Sequence, residues 1–193
     1  MKQALDPMNA YASTRAVALA LLLCVALPAG AACPDSARPS APQTAFGPEQ
    51  EPETLIAEVI GSAKTSVRAA AFAFSSPPVA KALAEAARRG VDVRVVADHK
   101  HNIDEDAKRI GRRAFDTVAA AGGTVRTNGH YRLHHDKFIV VDDCHVQTGS
   151  WNYAESAKRN SENVVVLWNN PAVARAYLAH WQSRFDEGKP YRP

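Results

Sequence analysis

From residue 53 onward, short β-branched or alanine-rich runs alternate with amphipathic stretches of helical period. Strands are expected at 67–74, 91–97, 124–127, 138–141, 145–148 and 163–168. Helices are expected at 77–89, 104–121 and 171–185, with a further helical pattern beginning near residue 55. This alternation predicts one α/β domain, built as a mixed central β-sheet flanked by helices on both faces.

A leader for export is expected at residues 1–32. Lys2 and Arg15 precede the apolar run 17–27, Pro28 ends that run, and small residues follow, as in a cleaved secretory signal peptide. The run is too short to cross a bilayer comfortably, which takes about 20 apolar residues. An uncleaved anchor is the alternative. The mature protein is expected in the periplasm or outside the cell, free of the membrane.

Residues 33–52 are rich in proline and are expected to form a tether, so that the folded domain spans 53–193. Once the leader is removed, Cys33 and Cys144 remain, an even pair for an oxidising compartment. A disulfide between them would tie the mature N-terminus to the segment beside the strands at 138–148. The alternative is a pair of free thiols.

Composition narrows the class of protein but not its ligand. Apolar residues make up 46% of the chain and charged residues 22%, which is ordinary for a globular protein and excludes disorder or a membrane bundle. The formal net charge of +3 is too small to identify a polyanionic substrate.

A histidine and a lysine stand two positions apart where an apolar strand begins, in His135-Asp136-Lys137 before residues 138–141. Side chains alternate across a strand, so His135 and Lys137 are expected on one face and Asp136 on the other. A neutral imidazole is a competent nucleophile near pH 7, and lysine neutralises charge on phosphate oxygens. Alone, such a pair more often marks an ordinary surface strand.

The next strand ends in Gly149-Ser150-Trp151-Asn152. Gly149 permits close backbone approach, while the Ser150 hydroxyl and the Asn152 amide can donate hydrogen bonds to an oxyanion. If Ser150 begins a helix, the N–H groups of that helix also point at the anion; alternatively, Ser150 or Asn152 only caps it. Trp151 and Tyr153 are expected to pack behind these residues rather than to stack on a ligand.

The complete pattern His135-x-Lys137-x4-Asp142-x6-Gly149-Ser150-x-Asn152 resembles the His-Lys-Asp motif of the phospholipase D superfamily. It is most similar to the small, single-motif, nonspecific bacterial endonucleases of that superfamily. Residues 69–74, 89–93, 148–153, 160–163 and 179–185 resemble that branch in order and spacing. The resemblance covers roughly 54–192 and implies a phospholipase D-like fold.

The resemblance implies a phosphodiesterase, specifically a nuclease, that works without metal or another cofactor. His135 would attack phosphorus and form a phosphohistidine, while a second histidine protonates the leaving oxygen. Lys137, Gly149, Ser150 and Asn152 would bind the phosphate, and the catalytic groups among them would stabilise its developing charge.

Two acidic residues also belong to the implied catalytic set. Glu162 resembles the acid that orients the nucleophilic imidazole through its other nitrogen. Asp142 belongs to the motif, but we expect it to form structural hydrogen bonds rather than to touch the substrate.

The implied mechanism needs two histidines, yet the chain has one His-x-Lys pair. His134 is excluded, because adjacent strand residues point to opposite faces. Relatives with two motifs carry both in one longer chain, so a single motif implies a symmetric homodimer whose active site is shared across the two-fold axis. The implied partner is nucleic acid, either DNA or RNA, as substrate.

Several alternatives stay open at this point. A lipid phosphodiesterase uses the same chemistry, and a non-catalytic nucleic-acid-binding protein is a rival of another class. Metal binding is a further rival, through the histidines at 99, 101, 130, 134, 135 and 145. Basic residues of the helix expected at 104–121 would form one stripe that either tracks a nucleic-acid backbone or faces solvent. These are Lys108, Arg109, Arg112 and Arg113.

Overall fold

The computed structural model describes Cys33 and residues 41–193. The expected leader, residues 1–32, lies outside the described residues. The strands are β1 (Gln43–Gly47), β2 (Ser66–Ala71), β3 (Asp92–Asp98), β4 (Thr124–Asn128), β5 (Lys137–Val141), β6 (His145–Gly149), β7 (Glu162–Leu167) and β8 (Lys189–Pro190). The helices are α1 (Pro52–Gly61), α2 (Pro77–Arg88), α3 (Ile110–Ala120) and α4 (Pro171–Glu187), with a π-helical turn at Lys100–Asp104 and a 3₁₀ turn at Glu155–Arg159.

The strands form one mixed sheet in the order β1-β7-β6-β5-β2-β3-β4-β8. β2, β3 and β4 run parallel, whereas the other neighbouring pairs are antiparallel. The prediction of a mixed central sheet is therefore confirmed. In the β2–β5 pair Ala71 lies opposite Lys137, so the ends of β2 and β3 meet the start of β5 at one edge.

Helices cover both faces of the sheet, as predicted. On one face α1, α2 and α3 pack a large core that includes Ile56, Leu83 and Phe115. On the other face Trp181 and Phe185 of α4 pack against the sheet, and the Trp181 indole N–H donates to the carbonyl of Ala69 at 2.9 Å. Fully burying such side chains stabilises the fold by about 1.5–3 kcal/mol each.

The expected tether is wrong for residues 43–47. These residues form β1, which pairs with β7 at the edge of the sheet. Ala45 and Gly47 face inward while Phe46 is 51% exposed. The prolines at 42 and 48 flank this strand rather than interrupt it, which edge positions allow. The domain therefore begins before residue 53.

Two other element boundaries differ from expectation. β2 ends at Ala71 because the Asn102 side chain takes the backbone groups that would continue the ladder, donating to Phe72 O at 2.6 Å and accepting from Phe74 N–H at 2.8 Å. α3 begins only at Ile110, since Asp106 accepts the N–H groups of the first helical turn and Arg109 has a left-handed backbone with φ 55°.

A disulfide joins Cys33 to Cys144, with the two Cα atoms 5.5 Å apart. Cys144 lies in the turn between β5 and β6. The bridge thus fastens Cys33 to the hairpin whose opposite end carries the motif. Among the described residues, no helix is long and apolar enough to cross a membrane.

Candidate active site

A cavity of about 650 Å³ opens where β5 begins and β6 ends. The predicted site residues that line it are His135, Lys137, Gly149, Ser150 and Asn152. Its opposite wall is formed by Ala176, Tyr177 and His180 of α4. Open α/β sheets bind ligands outside the carboxyl ends of parallel strands, and the cavity lies next to the ends of β2 and β3.

His135 and Lys137 lie together, but the expected strand alternation is wrong, because β5 begins only at Lys137 and Asp136 lines the same cavity. The Lys137 ammonium is 3.2 Å from Nδ1 and 3.3 Å from Nε2 of His135, and it donates to the His135 carbonyl at 2.8 Å. Burial, and then the Lys137 charge, lower the pKa of His135. Burial also lowers the pKa of Lys137, against the opposing charges of Asp136 and Glu162. Burial and the lysine charge therefore favour the neutral form of the imidazole, which is the nucleophilic one.

Gly149 marks a close approach between two strands. A Cβ built there would lie 2.2 Å from the carbonyl oxygen of Asn163, and φ is 155°. Any side chain would push β6 from β7 and displace Ser150. The predicted role of Gly149 in permitting close backbone approach therefore has a direct structural basis.

Ser150 does not begin a helix, so the expectation that helical N–H groups point at the anion is wrong, as is the capping alternative. The N–H groups of Ser150 and Trp151 donate instead to Asn163 O, at 3.0 and 3.4 Å. The Ser150 hydroxyl donates to the Glu162 carboxylate and accepts from Asn163 N–H at 3.0 Å. To donate to a phosphate, the Ser150 hydroxyl must give up its hydrogen bond to Glu162.

Asn152 lines the cavity without a side-chain hydrogen bond among the described residues, and its Oδ1 is buried and unpaired. An amide in this state has its donor capacity available for a ligand oxygen. Trp151 and Tyr153 are buried behind it, at 2% and 0% exposure, as predicted. These aromatic rings support the loop rather than contact a substrate.

Glu162 lies behind Ser150 at the start of β7. It accepts from Ser150 and from Asn160 Nδ2 at 3.1 Å. Among the described residues of one chain, no hydrogen bond or ion pair joins Glu162 to His135. Within a chain its carboxylate therefore orients the serine, and the orienting role toward an imidazole stays a prediction.

Asp142 lies at the other end of β5 from Lys137. Its carboxylate accepts the N–H groups of Lys64, Thr65 and Ser66 at 2.8–2.9 Å, and also the Thr65 hydroxyl. Burial raises its pKa, but these hydrogen bonds outweigh burial, and the pKa is lowered. The contacts are those of a structural residue that fixes the start of β2.

Two polar neighbours of the motif were not predicted as site residues. They are Asp136 and His180, which both line the cavity. The Asp136 carboxylate lies 2.9 Å from Nε2 of His180. His180 lies 44 positions after Asp136 in the chain. The local sequence pattern around β5 therefore cannot predict that His180 belongs to the site. His134, in contrast, is only 2% exposed, and its backbone N–H donates to Asp98 at 2.7 Å.

The expected basic stripe does not exist as one helical face. Lys108 and Arg109 precede α3, while Arg112 contacts Asp106 and Arg113 donates to the Lys108 carbonyl. Among the described residues, no group of three or more histidine, cysteine or acidic side chains is arranged to hold a metal ion.

Comparison with known proteins identifies the class. The family described as cardiolipin synthase, PLD-like domain, matches residues 56–186. The crystal structure of a phospholipase D family member, Nuc from Salmonella typhimurium, is 40% identical, with a TM-score of 0.75 over 79% of this chain and 99% of that one. The chain belongs to the phospholipase D superfamily, as a PLD-like domain.

Curated relatives carry names from lipid chemistry. A phospholipase D of Rickettsia bellii is 31% identical over 142 residues, which is 73% of this chain and 67% of that protein. A mitochondrial cardiolipin hydrolase of Xenopus laevis is 30% identical over 136 residues, 70% of this chain and 61% of that protein. The chain thus has the fold of phospholipase D-type phosphodiesterases.

Proposed function

We propose that the protein is an exported endonuclease that hydrolyses phosphodiester bonds of nucleic acid without metal, through a phosphohistidine on His135. The observation that carries the proposal is the single cavity lined by His135, Lys137, Ser150 and Asn152. It combines a neutral nucleophile, a cation and neutral donors around one space, which suits a phosphodiester.

In the proposed reaction an imidazole nitrogen of His135 attacks phosphorus, and the bond from phosphorus to the leaving oxygen breaks. A second imidazole, in its protonated form, gives that oxygen its proton. Water then attacks the phosphohistidine, loses a proton to the second imidazole and releases His135. General acid catalysis of this kind contributes about 10²–10⁴ in rate.

Lys137 and Asn152 are the main phosphate-binding residues. Ser150 joins them when its hydroxyl gives up the hydrogen bond to Glu162 and donates to a phosphate oxygen instead. Lys137 already lies within 3.3 Å of both His135 ring nitrogens. A phosphate attacked by His135 therefore comes within reach of the ammonium. Charge that develops on the phosphate oxygens is stabilised where it forms.

The second imidazole is proposed to come from a second copy of the chain, which makes the enzyme a homodimer with a shared site. His134 is buried and cannot reach the cavity. His180 does line the cavity, but its Nε2 is held by Asp136 at 2.9 Å. A His135 related by two-fold symmetry supplies an equivalent group without these restraints.

Nucleic acid is preferred over lipid as the substrate because similarity is greater to Nuc, at 40% identity over 99% of that chain, than to the relatives named for lipid activities. The sequence segments shared with the small endonuclease branch support the same choice. A lipid phosphodiesterase is the second candidate, supported by the names of those relatives.

The test is incubation of the exported protein with plasmid DNA, RNA and phosphatidylcholine vesicles, all in EDTA. Cleavage of DNA or RNA is expected for the wild type and for His130→Asn, a matched change at an exposed loop histidine. His135→Asn should be inactive. Release of choline without nucleic-acid cleavage would favour the lipid candidate, and activity restored only by added metal would refute the metal-free mechanism.

A further inference from the structure

The segment that carries His135 has no strand or helix to hold it. Residues 129–136, between β4 and β5, adopt no regular secondary structure, and the β5 ladder begins only at Lys137. The position of the His135 ring therefore depends on individual contacts. Active-site groups need such contacts, since misplacement by about 1 Å can cost about 10²-fold in rate.

Asp98 supplies one of these contacts directly. It is the last residue of β3 and is 1% exposed. One carboxylate oxygen accepts the backbone N–H of His134, the residue before His135, at 2.7 Å. The other accepts the backbone N–H of His101 at 2.7 Å. Hydrogen bonds to a buried carboxylate are short and strong, and among the described residues Asp98 forms no ion pair.

A second route from Asp98 leads to the same imidazole through ring contacts. The His101 ring lies 4.6 Å from the Phe72 ring, and the Phe72 ring lies 4.6 Å from that of His135. Asn102, 2% exposed, donates to both Phe72 O and Asp98 O and so fixes the π-helical turn against the segment after β2. His101 thus backs the ring on which His135 rests.

We propose that Asp98 is a positioning residue for His135, acting through the His134 backbone and through the His101–Phe72 ring pair. The proposal rests on the proposed function for the role of His135 as nucleophile. Asp98 itself does not line the cavity. Its carboxylate accepts hydrogen bonds from both loops and so joins each of them to the end of β3.

The charge of Asp98 gives the proposal a measurable signature. Burial and Lys137 lower the pKa of His135, whereas Asp136 and Asp98 raise it. The charged or titratable groups of the surrounding elements are Lys137 of β5, Asp136 before it, Asp98 of β3, Glu162 of β7, His180 of α4, and the neighbouring His101 and His134. Removing the Asp98 charge alone should lower the pKa of His135 further, because one group that stabilises the protonated ring is lost.

The experiment compares Asp98→Asn with Asp92→Asn, the same change at the exposed first residue of β3. A carboxamide has one acceptor oxygen, so its NH₂ group must face one of the two backbone N–H donors. With bis(4-nitrophenyl) phosphate, Asp98→Asn is expected to lower kcat by about 10²-fold at nearly unchanged KM. The acid limb of the kcat/KM profile should move to lower pH. Asp92→Asn should change neither.

NMR titration of the histidine rings tests the same proposal without a measurement of catalysis. In Asp98→Asn the pKa of His135 should fall and the nuclear Overhauser contacts between the His135 and Phe72 rings should weaken. A folded Asp98→Asn protein with the wild-type pKa and ring contacts would overturn the proposal. If the wild type cleaves no phosphodiester, the proposed function fails, while the NMR comparison still decides the positioning role.

Should Asp98→Asn fail to fold, His101→Ala decides the proposal, because that side chain is 42% exposed and its loss is compatible with folding. The backbone N–H to Asp98 remains, but Phe72 loses its supporting ring. Weakened His135–Phe72 ring contacts with a lower kcat and unchanged KM would support positioning through the ring pair. Wild-type ring contacts and wild-type kcat would contradict it.

Discussion

At the scale of single residues, the state of His135 is set by a cation and an aromatic ring. Lys137 lies against its ring nitrogens, and Phe72 packs 4.6 Å from the ring centre. Burial and the lysine both favour the neutral imidazole. A lowered pKa leaves more of the ring neutral than in an ordinary histidine, and the neutral ring is the form that the proposed nucleophilic attack requires.

The first prediction concerns that charge. Replacing Lys137 by Met removes the second-largest cause that lowers the pKa of His135, so the pKa should rise. The measurement is an NMR titration of the His135 ring, with Lys81→Met as the control because that lysine lies exposed on α2. An unchanged or lower pKa in Lys137→Met would show that the ammonium does not act on the ring.

Residue-level prediction from sequence succeeded where partners are close along the chain. The proximity of His135 and Lys137 and the packing of Trp151 and Tyr153 follow from the local sequence pattern, although His135 precedes β5 and strand alternation does not apply to it. His180 and Asp98 could not be found in this way. They reach the motif across 44 and 36 residues, and only the assembled sheet and α4 bring them there.

At the scale of elements, the β6–β7 junction depends on the missing side chain of Gly149. Gly149→Ala places a methyl group 2.2 Å from Asn163 O and should lower the free energy of unfolding by roughly 3 kcal/mol. Urea denaturation measures the change. The matched control is Gly61→Ala at the end of α1, where a Cβ meets nothing within 4 Å.

Gly61→Ala should be neutral or should stabilise the protein by about 0.5–1 kcal/mol, because alanine loses less backbone entropy in a helix. Equal effects of the two substitutions would contradict the close approach at Gly149. Activity of any folded Gly149→Ala protein should also fall, since Ser150 follows directly.

Asp142 gives the β5–β6 turn a pH-dependent contribution to stability. Its folded pKa is lowered, so its stabilisation is fully present above the unfolded pKa of about 4 and is lost as pH falls through the folded value. Asp142→Asn should cost about 2 kcal/mol at neutral pH. The difference from wild type should shrink as pH drops below about 4.

Thermal or urea unfolding at several pH values measures this difference, with Asp143→Asn as the control on the exposed adjacent residue. The folded Asp142→Asn protein should keep near-wild-type kcat, because the carboxylate lies at the far end of β5 from the cavity. A large loss of kcat at full folding would assign Asp142 a catalytic role instead of a structural one.

Most elements were predictable from sequence because their apolar periodicity is local. β1 was not, since five residues between prolines carry little pattern, and its place is decided by pairing with β7. The predicted start of the helix expected at 104–121 was also wrong, because α3 begins at Ile110. The Asp106 carboxylate accepts the first N–H groups of the helix. The sequence alone does not distinguish such a capping residue from an ordinary exposed acid.

At the scale of the whole molecule, the sharpest prediction concerns subunit mixing. If each active site needs His135 from two chains, a dimer with one His135→Asn subunit is inactive. Co-refolding equal amounts of wild type and His135→Asn should then leave about one quarter of the dimers active. Activity per wild-type chain falls to about half of that of the pure enzyme.

Separate refolding followed by mixing on ice is the control, since subunits that do not exchange keep full activity per wild-type chain. Sedimentation measures the mass of each sample. Unchanged activity per wild-type chain after co-refolding would mean that each chain carries a complete site, with His180 as the nearest candidate for the acid.

Fold class followed from the strand and helix alternation, but strand order did not. β7 lies between β1 and β6, and β5 lies between β6 and β2. The β1–β7 and β2–β5 pairs join strands that are far apart in the sequence and are selected by packing of both sheet faces, whereas β5 and β6 form a local hairpin. The sequence constrains which segments are strands, and the three-dimensional core selects their partners.

The disulfide also determines how the domain would be oriented if the protein were immobilised on a surface through the segment before Cys33. Cys33 is fixed to the turn at Cys144, and β6 runs five residues from there to Gly149 at the cavity, a distance of about 17 Å. An affinity handle or surface linkage placed just before Cys33 would therefore attach at the end of the sheet remote from the cavity. Immobilised molecules should present their active sites to the solution, and reduction should randomise that orientation.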